Sequence, residues 1–184
     1  MKNVLMVISG PSGVGKGTIV KELLKRRTDV ALSVSCTTRE PRKGEVDGRE
    51  YFFLKREEFL KKAEEGEFLE YDEHFGNFYG TPKTFVKERL QEKSVILEID
   101  VVGALNAKKV FPESVLIMVA PPSEDELKKR LSGRKSETEE EINTRLARLE
   151  YELSQKHLYD HVVVNDELKR ATDEIEKILD LHKQ

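Results

Sequence analysis

Cysteine is nearly missing from this chain of 184 residues: Cys36 stands alone. A lone cysteine excludes an intramolecular disulfide and leaves no cysteine cluster for zinc. Long apolar runs are missing too, so no window reads as a bilayer span. The N-terminal KNVLMVIS runs into a glycine-rich loop without a cleavage-type site, which argues against a secretory segment. Together these absences give the expectation of a reducing, cytoplasmic setting. Excess charge of one sign is also lacking. The formal net charge is −3, which argues against a general nucleic-acid coat, a class that carries a basic surface. No repeat and no low-complexity linker interrupts the chain, whose length suits one domain, or one with small insertions.

What is present is a well-mixed globular composition, 38% hydrophobic and 36% charged, with one conspicuous local pattern. Residues 10–18 read GPSGVGKGT. Gly10-x-x-Gly13-x-Gly15-Lys16 follows the phosphate-loop pattern except at its last position. Glycines at this spacing let successive backbone N–H groups point into one concavity. A helix starting near Lys16 adds its positive end, and the lysine reaches outer phosphate oxygens. A hydroxyl that helps hold magnesium usually follows that lysine. Here Gly17 follows and Thr18 comes one place later, leaving the ion to water or to Thr18. The context fits the motif: NVLMVIS (3–9) reads as a buried strand and TIVKELLKRR (18–27) as a helix. A dinucleotide-binding fingerprint is disfavoured, because no acidic residue ends the next strand at the usual distance.

Further along, ALSVSCTTR (31–39) reads as a second strand and YFFL as another after the Asp47-Gly48 turn. REEFLKKAEEGEFLE (56–70) reads as an amphipathic helix stopped near Gly66. HFGNFYGT (74–81) is strand or loop, and Thr81-Pro82 is a helix opening with threonine as cap. VILEID (95–100), SVLIMVA (114–120) and HVVVN (161–165) read as strands. Helices are expected at 101–111, 124–131, 142–155 and 167–182, with a polar excursion at 133–141. Strands separated mostly by helices predict an α/β fold with a parallel sheet flanked by helices. Residues 1–36 and 94–184 are expected to form that core, with a lid at about 132–142 and an inserted lobe at 37–93.

A second stretch, SCTTREPRKGEVDGREY (35–51), sets Arg39, Arg42 and Tyr51 among polar residues. Forked arginine donors and a tyrosine hydroxyl suit phosphate oxygens. Pairing with Glu40, Glu45 and Glu50 would explain the same arginines without a ligand.

GPSGVGKGT, SVSCTTREPRKGEVDGREYFF, EFLEYDEHFGNFYGTP, ILEIDVVG, RLSGRKSETEEEINTRL and VVND occur in this order and span nearly the whole chain. In this the chain resembles the guanylate kinase family. The resemblance implies a P-loop core with an inserted GMP-binding lobe and a short lid. It also implies the reaction ATP + GMP = ADP + GDP with Mg²⁺. Carried over by position, it places Arg39, Arg42, Tyr51 and Tyr79 on the GMP phosphate, and Ser35, Glu70 and Thr81 on the guanine. Glu98 and Asp100, read as sharing one strand face, fall at the edge of the GMP site. Pro11, Ser12, Gly13, Val14, Gly15, Lys16, Gly17 and Thr18, with Asn165, fall around ATP. Lys16, Arg39, Arg130, Arg134 and Arg145 fall around the transferring phosphoryl group. Two departures stand out: Val102 where many members carry glutamine, and Lys135 where glycine is commoner.

The base-reading residues make physical sense. Guanine presents N1–H and N2–H₂ donors that one carboxylate accepts as a pair, while O6 and N7 accept from hydroxyls. Adenine lacks that donor pair. ATP and GMP are the implied partners, with dGMP as a further acceptor to test, and neither nucleic acid nor membrane is implied. The rival readings are a non-catalytic guanylate-kinase-like peptide-binding module and a kinase for another nucleoside monophosphate. The first loses the phosphate loop or its lysine, both present here, and the second is disfavoured by Glu70 and Thr81.

Overall fold

The computed structural model describes residues 2–74, 76–132 and 138–184, with the side chains of 130–132 left undescribed. The chain runs β1 (Leu5–Ser9), α1 (Lys16–Arg26), β2 (Val30–Leu32), β3 (Ser35–Thr37), β4 (Tyr51–Phe53), α2 (Arg56–Glu64), β5 (Phe68–His74) and β6 (Asn77–Pro82). It continues α3 (Lys83–Glu92), β7 (Ser94–Glu98), α4 (Val101–Val110), β8 (Val115–Ala120), α5 (Glu124–Ser132), α6 (Glu139–Ser154), β9 (His161–Val164) and α7 (Leu168–His182).

Two sheets form. The first has order β2-β7-β1-β8-β9, and every pairing in it is parallel. Its strands are apolar on both faces because helices cover both. Alternation divides them cleanly. Met6, Ile8, Ile96, Ile117 and Val119 pack with Ile19, Val20 and Leu23 of α1 and with Ala171, Ile175 and Leu179 of α7. Leu5, Val7, Val95, Leu97, Leu116 and Met118 face Val86 of α3 and Val101, Ala104 and Ala107 of α4. The second sheet has order β4-β3-β6-β5 and packs on α2 through Cys36, Phe59 and Phe68. Phe78 joins that cluster; Phe75 lies outside the described residues.

The phosphate loop leaves the C-terminal end of the central strand β1. Gly10 is required there by two constraints at once. Its φ is +144°, and a Cβ would stand 2.3 Å from the Val119 carbonyl oxygen of β8. Only a residue without a side chain lets the loop pass so close to the neighbouring strand.

Four local expectations need correction. The single strand expected within 31–39 is two: β2 pairs with β7 in the first sheet, and β3 pairs with β4 and β6 in the second. The chain crosses between sheets at Ser33–Val34, after Ser33 N–H donates to Ile96 O. The helix expected to stop near Gly66 ends at Glu64, but residues 68–70, read in the same segment, open β5 (Phe68–His74), antiparallel to β6. Gly66, at φ +69°, makes the turn between them. Thr81 does not cap a helix. It is the penultimate residue of β6, and α3 begins at Lys83 without a side-chain cap. Asp100 has left the strand occupied by Glu98 and caps α4, accepting from Gly103 N–H at 2.7 Å. Of the expected lid, residues 133–137 lie outside the described residues. Glu139–Ile142 already belong to α6, which starts from a capping box between Thr138 and Glu141.

Candidate active site

The loop of residues 10–15 closes on the N-terminus of α1, with Gly15 left-handed at φ 96° as the N-cap. Lys16, the first helical residue, turns back over the loop. Its ammonium donates to Gly10 O at 2.6 Å and Pro11 O at 3.0 Å. Burial pulls the Lys16 pKa down, while the carboxylates of Glu98, Glu152 and Asp100 oppose that pull. Ser9, just before the loop, is anchored by the Tyr159 hydroxyl at 3.1 Å.

Two cavities flank the loop. One, of about 480 Å³, has Val14, Thr18, Pro121, Pro122 and Asn165 in its wall. Asn165 Nδ2 donates to Val14 O at 2.8 Å, so this side chain braces the loop. The other, of about 550 Å³, brings Lys16 together with Glu98, Asp100, Arg145, Arg148 and Glu152. Thr18 therefore lies on the Asn165 side, away from Glu98, Asp100 and Glu152. Gly17 faces them: a Cβ there would stand 3.3 Å from Glu98 Oε1. The acids near the loop are hard oxygen donors, the set that suits Mg²⁺.

A third, smaller cavity joins the two sheets. Ser35, Tyr51 and Thr81 line it with Glu98 and Ile99. Ser33 is in this wall as well, and its Oγ is buried without a hydrogen-bond partner. Glu98 thus borders both the phosphate-loop cavity and the cavity of the second sheet.

Thr81 donates from its hydroxyl to Glu70 Oε1 at 2.6 Å. Burial pushes the Glu70 carboxyl up to about 7; the Thr81 hydroxyl opposes this, and Asp100 and Asp72 add to it. Arg39 donates through Nη2 to both oxygens of Glu45, at 2.9 and 3.0 Å. Its guanidinium lies 5.4 Å from the centre of the Tyr51 ring, and the rings of Tyr51 and Tyr79 meet edge-on at 5.9 Å. Arg39, Tyr51 and Tyr79 are therefore gathered. Arg42 is exposed on the adjoining loop, where its backbone N–H donates to Glu45 Oε2. Arg145 comes to the Lys16 cavity, whereas Arg134 and the side chain of Arg130 lie outside what the structure describes.

Two features escaped the sequence reading. Asp72, His74 and Asp100 place three ligand-type atoms within 4.8 Å of one another, a potential metal-coordinating cluster. Asp72 and His74 alternate with other residues along β5, and nothing in the sequence ties them to Asp100. The second is Arg148, which donates to Asp100 Oδ2 at 3.0 Å and to Glu152 Oε1 at 3.1 Å. An arginine four residues before a glutamate on a helix reads as a surface pair, so the sequence held no signal for it.

A phosphate loop on the central strand of a parallel sheet, facing a second sheet across a shared acidic wall, defines a P-loop nucleoside-monophosphate kinase. The guanylate kinase family model matches residues 2–182, and the chain belongs to that family. It is 50% identical over 183 residues to a guanylate kinase of Clostridioides difficile, covering 99% of this chain and 89% of the relative. The crystal structure of a guanylate kinase from Anaplasma phagocytophilum superposes with a TM-score of 0.76 at 34% identity, covering all of this chain and 87% of that one. A shikimate kinase from Bacteroides thetaiotaomicron, at 13% identity and a TM-score of 0.51, shares the fold, covering 96% of this chain and 98% of its own.

Proposed function

We propose that this chain transfers the terminal phosphoryl group of ATP to GMP, giving ADP and GDP, across the wall formed by Glu98. The carrying observation is that Glu98 borders both the Lys16 cavity and the cavity of Ser35, Tyr51 and Thr81. A donor on the loop and an acceptor on the second sheet would then meet with no protein nucleophile between them. Positioning and charge neutralisation supply the catalysis.

In this reading the loop residues Pro11–Thr18 cradle the ATP phosphates, and Asn165 stands at the adenosine side. Lys16 abandons its two carbonyl partners for phosphate oxygens and neutralises charge there. Arg39, Arg42, Tyr51 and Tyr79 hold the GMP phosphate, for which Arg39 must exchange Glu45. Arg130, Arg134 and Arg145 bring further positive charge to the transferring group. Ser35, Glu70 and Thr81 read guanine, with Asp100 at its edge. Residues 37–93 act as the GMP lobe, 132–142 as the lid, and the remainder as the ATP core. Ser35 and Cys36 of β3 join that lobe, and its α3 packs back on the parallel sheet through Val86. Glu98 and Asp100 would hold Mg²⁺ through water, with Thr18 on the opposite side of the loop. When bound, that ion would supply positive charge against the phosphate oxygens of the donor. The substrates are intracellular nucleotides, which puts the reaction in the cytoplasm.

The test is ADP formation by the purified protein with Mg-ATP and GMP, dGMP, AMP, CMP or UMP. Turnover restricted to the guanine nucleotides supports the reading. Equal rates with AMP would remove the guanine-reading role of Glu70, and no turnover with any acceptor would leave a binding module.

A further inference from the structure

Arg148 stands three residues beyond Arg145 on α6, and one of its two side-chain contacts leads away from that helix. One edge of the guanidinium, through Nη2, meets Asp100 of the α4 cap at 3.0 Å. The other, through Nε, meets Glu152 at 3.1 Å. Glu152 is 5% exposed, and burial pushes its carboxyl up while Arg148 opposes that push. Arg148 itself is 54% exposed, so solvent screens the guanidinium on its outer side while Glu152 is held in a buried position. The contact to Asp100 crosses 48 residues of sequence and joins α6 to α4. Asp100 is held at both oxygens: Oδ1 by Gly103 N–H at 2.7 Å and Oδ2 by Arg148. Gly103 in turn packs under Glu70, since a Cβ there would stand 3.0 Å from Glu70 Oε2. A continuous line of contacts thus runs from the helix carrying Arg145 to the acids on the GMP side.

We infer that Arg148 is a positioning residue for GMP recognition: it fixes the orientation of Asp100 from α6 and couples that helix to the guanine-reading acids. The inference rests on the reading that Asp100 borders GMP. A forked guanidinium suits the task because two N–H groups of one rigid plane grip two carboxylates at once. The ammonium of lysine, a point charge, serves one of them well.

The experiment measures kcat and KM for GMP at saturating Mg-ATP in wild type, Arg148→Ala, Arg148→Lys, Asp100→Asn and the Arg148→Ala/Asp100→Asn double variant. Arg148→Ala is expected to raise KM for GMP about fivefold to tenfold with kcat within about threefold of wild type, since positioning of a binding group acts on ground and transition states alike. Arg148→Lys should recover part of the loss. In the Asp100→Asn background, removing Arg148 should add less than about twofold, because the two residues act as one unit. Arg148→Ala leaves a buried carboxylate unpaired, so Arg148→Ala/Glu152→Gln is measured beside it and should show the same KM rise with better folding. A fall in melting temperature with KM for GMP unchanged in both of these variants reduces Arg148 to a structural ion pair and overturns the inference. Fully multiplicative effects of Arg148→Ala and Asp100→Asn overturn it as well, while leaving Asp100 at the GMP site. If Asp100→Asn itself leaves KM for GMP unchanged, the placement of Asp100 fails and the inference falls with it.

Discussion

Glu70 must be an anion to accept from two guanine donors, yet burial pushes its carboxyl up to about 7. The direction of the resulting pH dependence follows. On the proposed reading, Glu70 is mostly protonated in the empty enzyme below pH 7, and guanine binding would have to expel that proton. kcat/KM for GMP should therefore fall about tenfold per pH unit on acidification below pH 7 and level off above it. The GMP phosphate also ionises, near pH 6 by analogy with phosphorylated side chains, so a pH profile of Glu70→Gln is the control: it should keep the phosphate step and lose the step near 7. Stability moves the opposite way. The unfolded chain releases this proton near the ordinary 4.5, so the folded state binds more protons between 4.5 and 7, and this group's contribution falls as pH rises. At neutral pH, Glu70→Gln should cost about ten- to hundredfold in kcat/KM for GMP, the worth of one charge-assisted contact. Thr81→Val should cost less and combine non-additively, because the two side chains share the 2.6 Å hydrogen bond. A folded Glu70→Gln enzyme that still prefers GMP over AMP as wild type does would refute the base-reading role. Lys16 makes a different case. Among the described residues its ammonium donates to loop carbonyls, Gly10 O and Pro11 O, so Lys16→Ala should lower kcat far more than melting temperature. Equal kcat in folded wild type and variant would remove Lys16 from the transfer step.

At the scale of elements, the N-terminal turn of α4 carries an opposition between stability and recognition. Gly103 is the third residue of that helix, where alanine is intrinsically better by about 1 kcal/mol. The same methyl group would stand 3.0 Å from Glu70 Oε2 and 3.1 Å from Asp100 Oδ1. Gly103→Ala should hold or raise the melting temperature while raising KM for GMP about tenfold by displacing the acids. An unchanged KM would mean that these carboxylates do not meet the base. Elements also explain what was legible in the sequence. The phosphate loop was, since its chemistry needs a fixed local spacing and a strand and helix on either side. The core strands were, because burial on both faces leaves continuous apolar runs. The transfer of the chain from β2 to β3 was not, because strands of three residues carry no usable period and SVS reads alike in either sheet. Glu70, and Thr81 as its partner at the base, drew attention through family resemblance alone. Their mutual hydrogen bond depends on antiparallel pairing across the 70–81 register, which local composition does not encode. Arg148 and the Asp72–His74–Asp100 cluster depend on helices and strands from separate parts of the chain meeting, and no local pattern marks that.

For the whole molecule, the two sheets differ in how they are held. The parallel sheet is sealed on both faces by two extensive apolar layers. The second sheet has a smaller cluster of Cys36, Phe59 and Phe68, with Phe52, Leu54, Ala63 and Phe78 packed around them, and Leu69 of β5 ties it into the apolar layer of the first. Fewer buried apolar contacts mean a lower free energy of local opening. The polar contacts between the units sit at the site itself, through the approach of Glu70 to α4 and of His74, 4.0 Å from Asp100. A ligand that touches both units should therefore stabilise the weaker one most. Amide hydrogen exchange is expected to be faster over β3–β6 than over β1, β7 and β8 in the free protein. GMP should slow exchange over β3, β5 and β6, a non-hydrolysable ATP analogue should slow residues 10–18, and both together should slow α6 more than either alone, since α6 brings Arg145 and Arg148 to the shared cavity. Binding that merely adds local contacts would give protection equal to the sum of the separate ligands. Excess protection of α6 in the ternary complex is the signature of two units drawn together by their substrates. Uniform exchange across both sheets, or GMP protection confined to the phosphate loop, would show that the second sheet is neither the weaker unit nor the acceptor site.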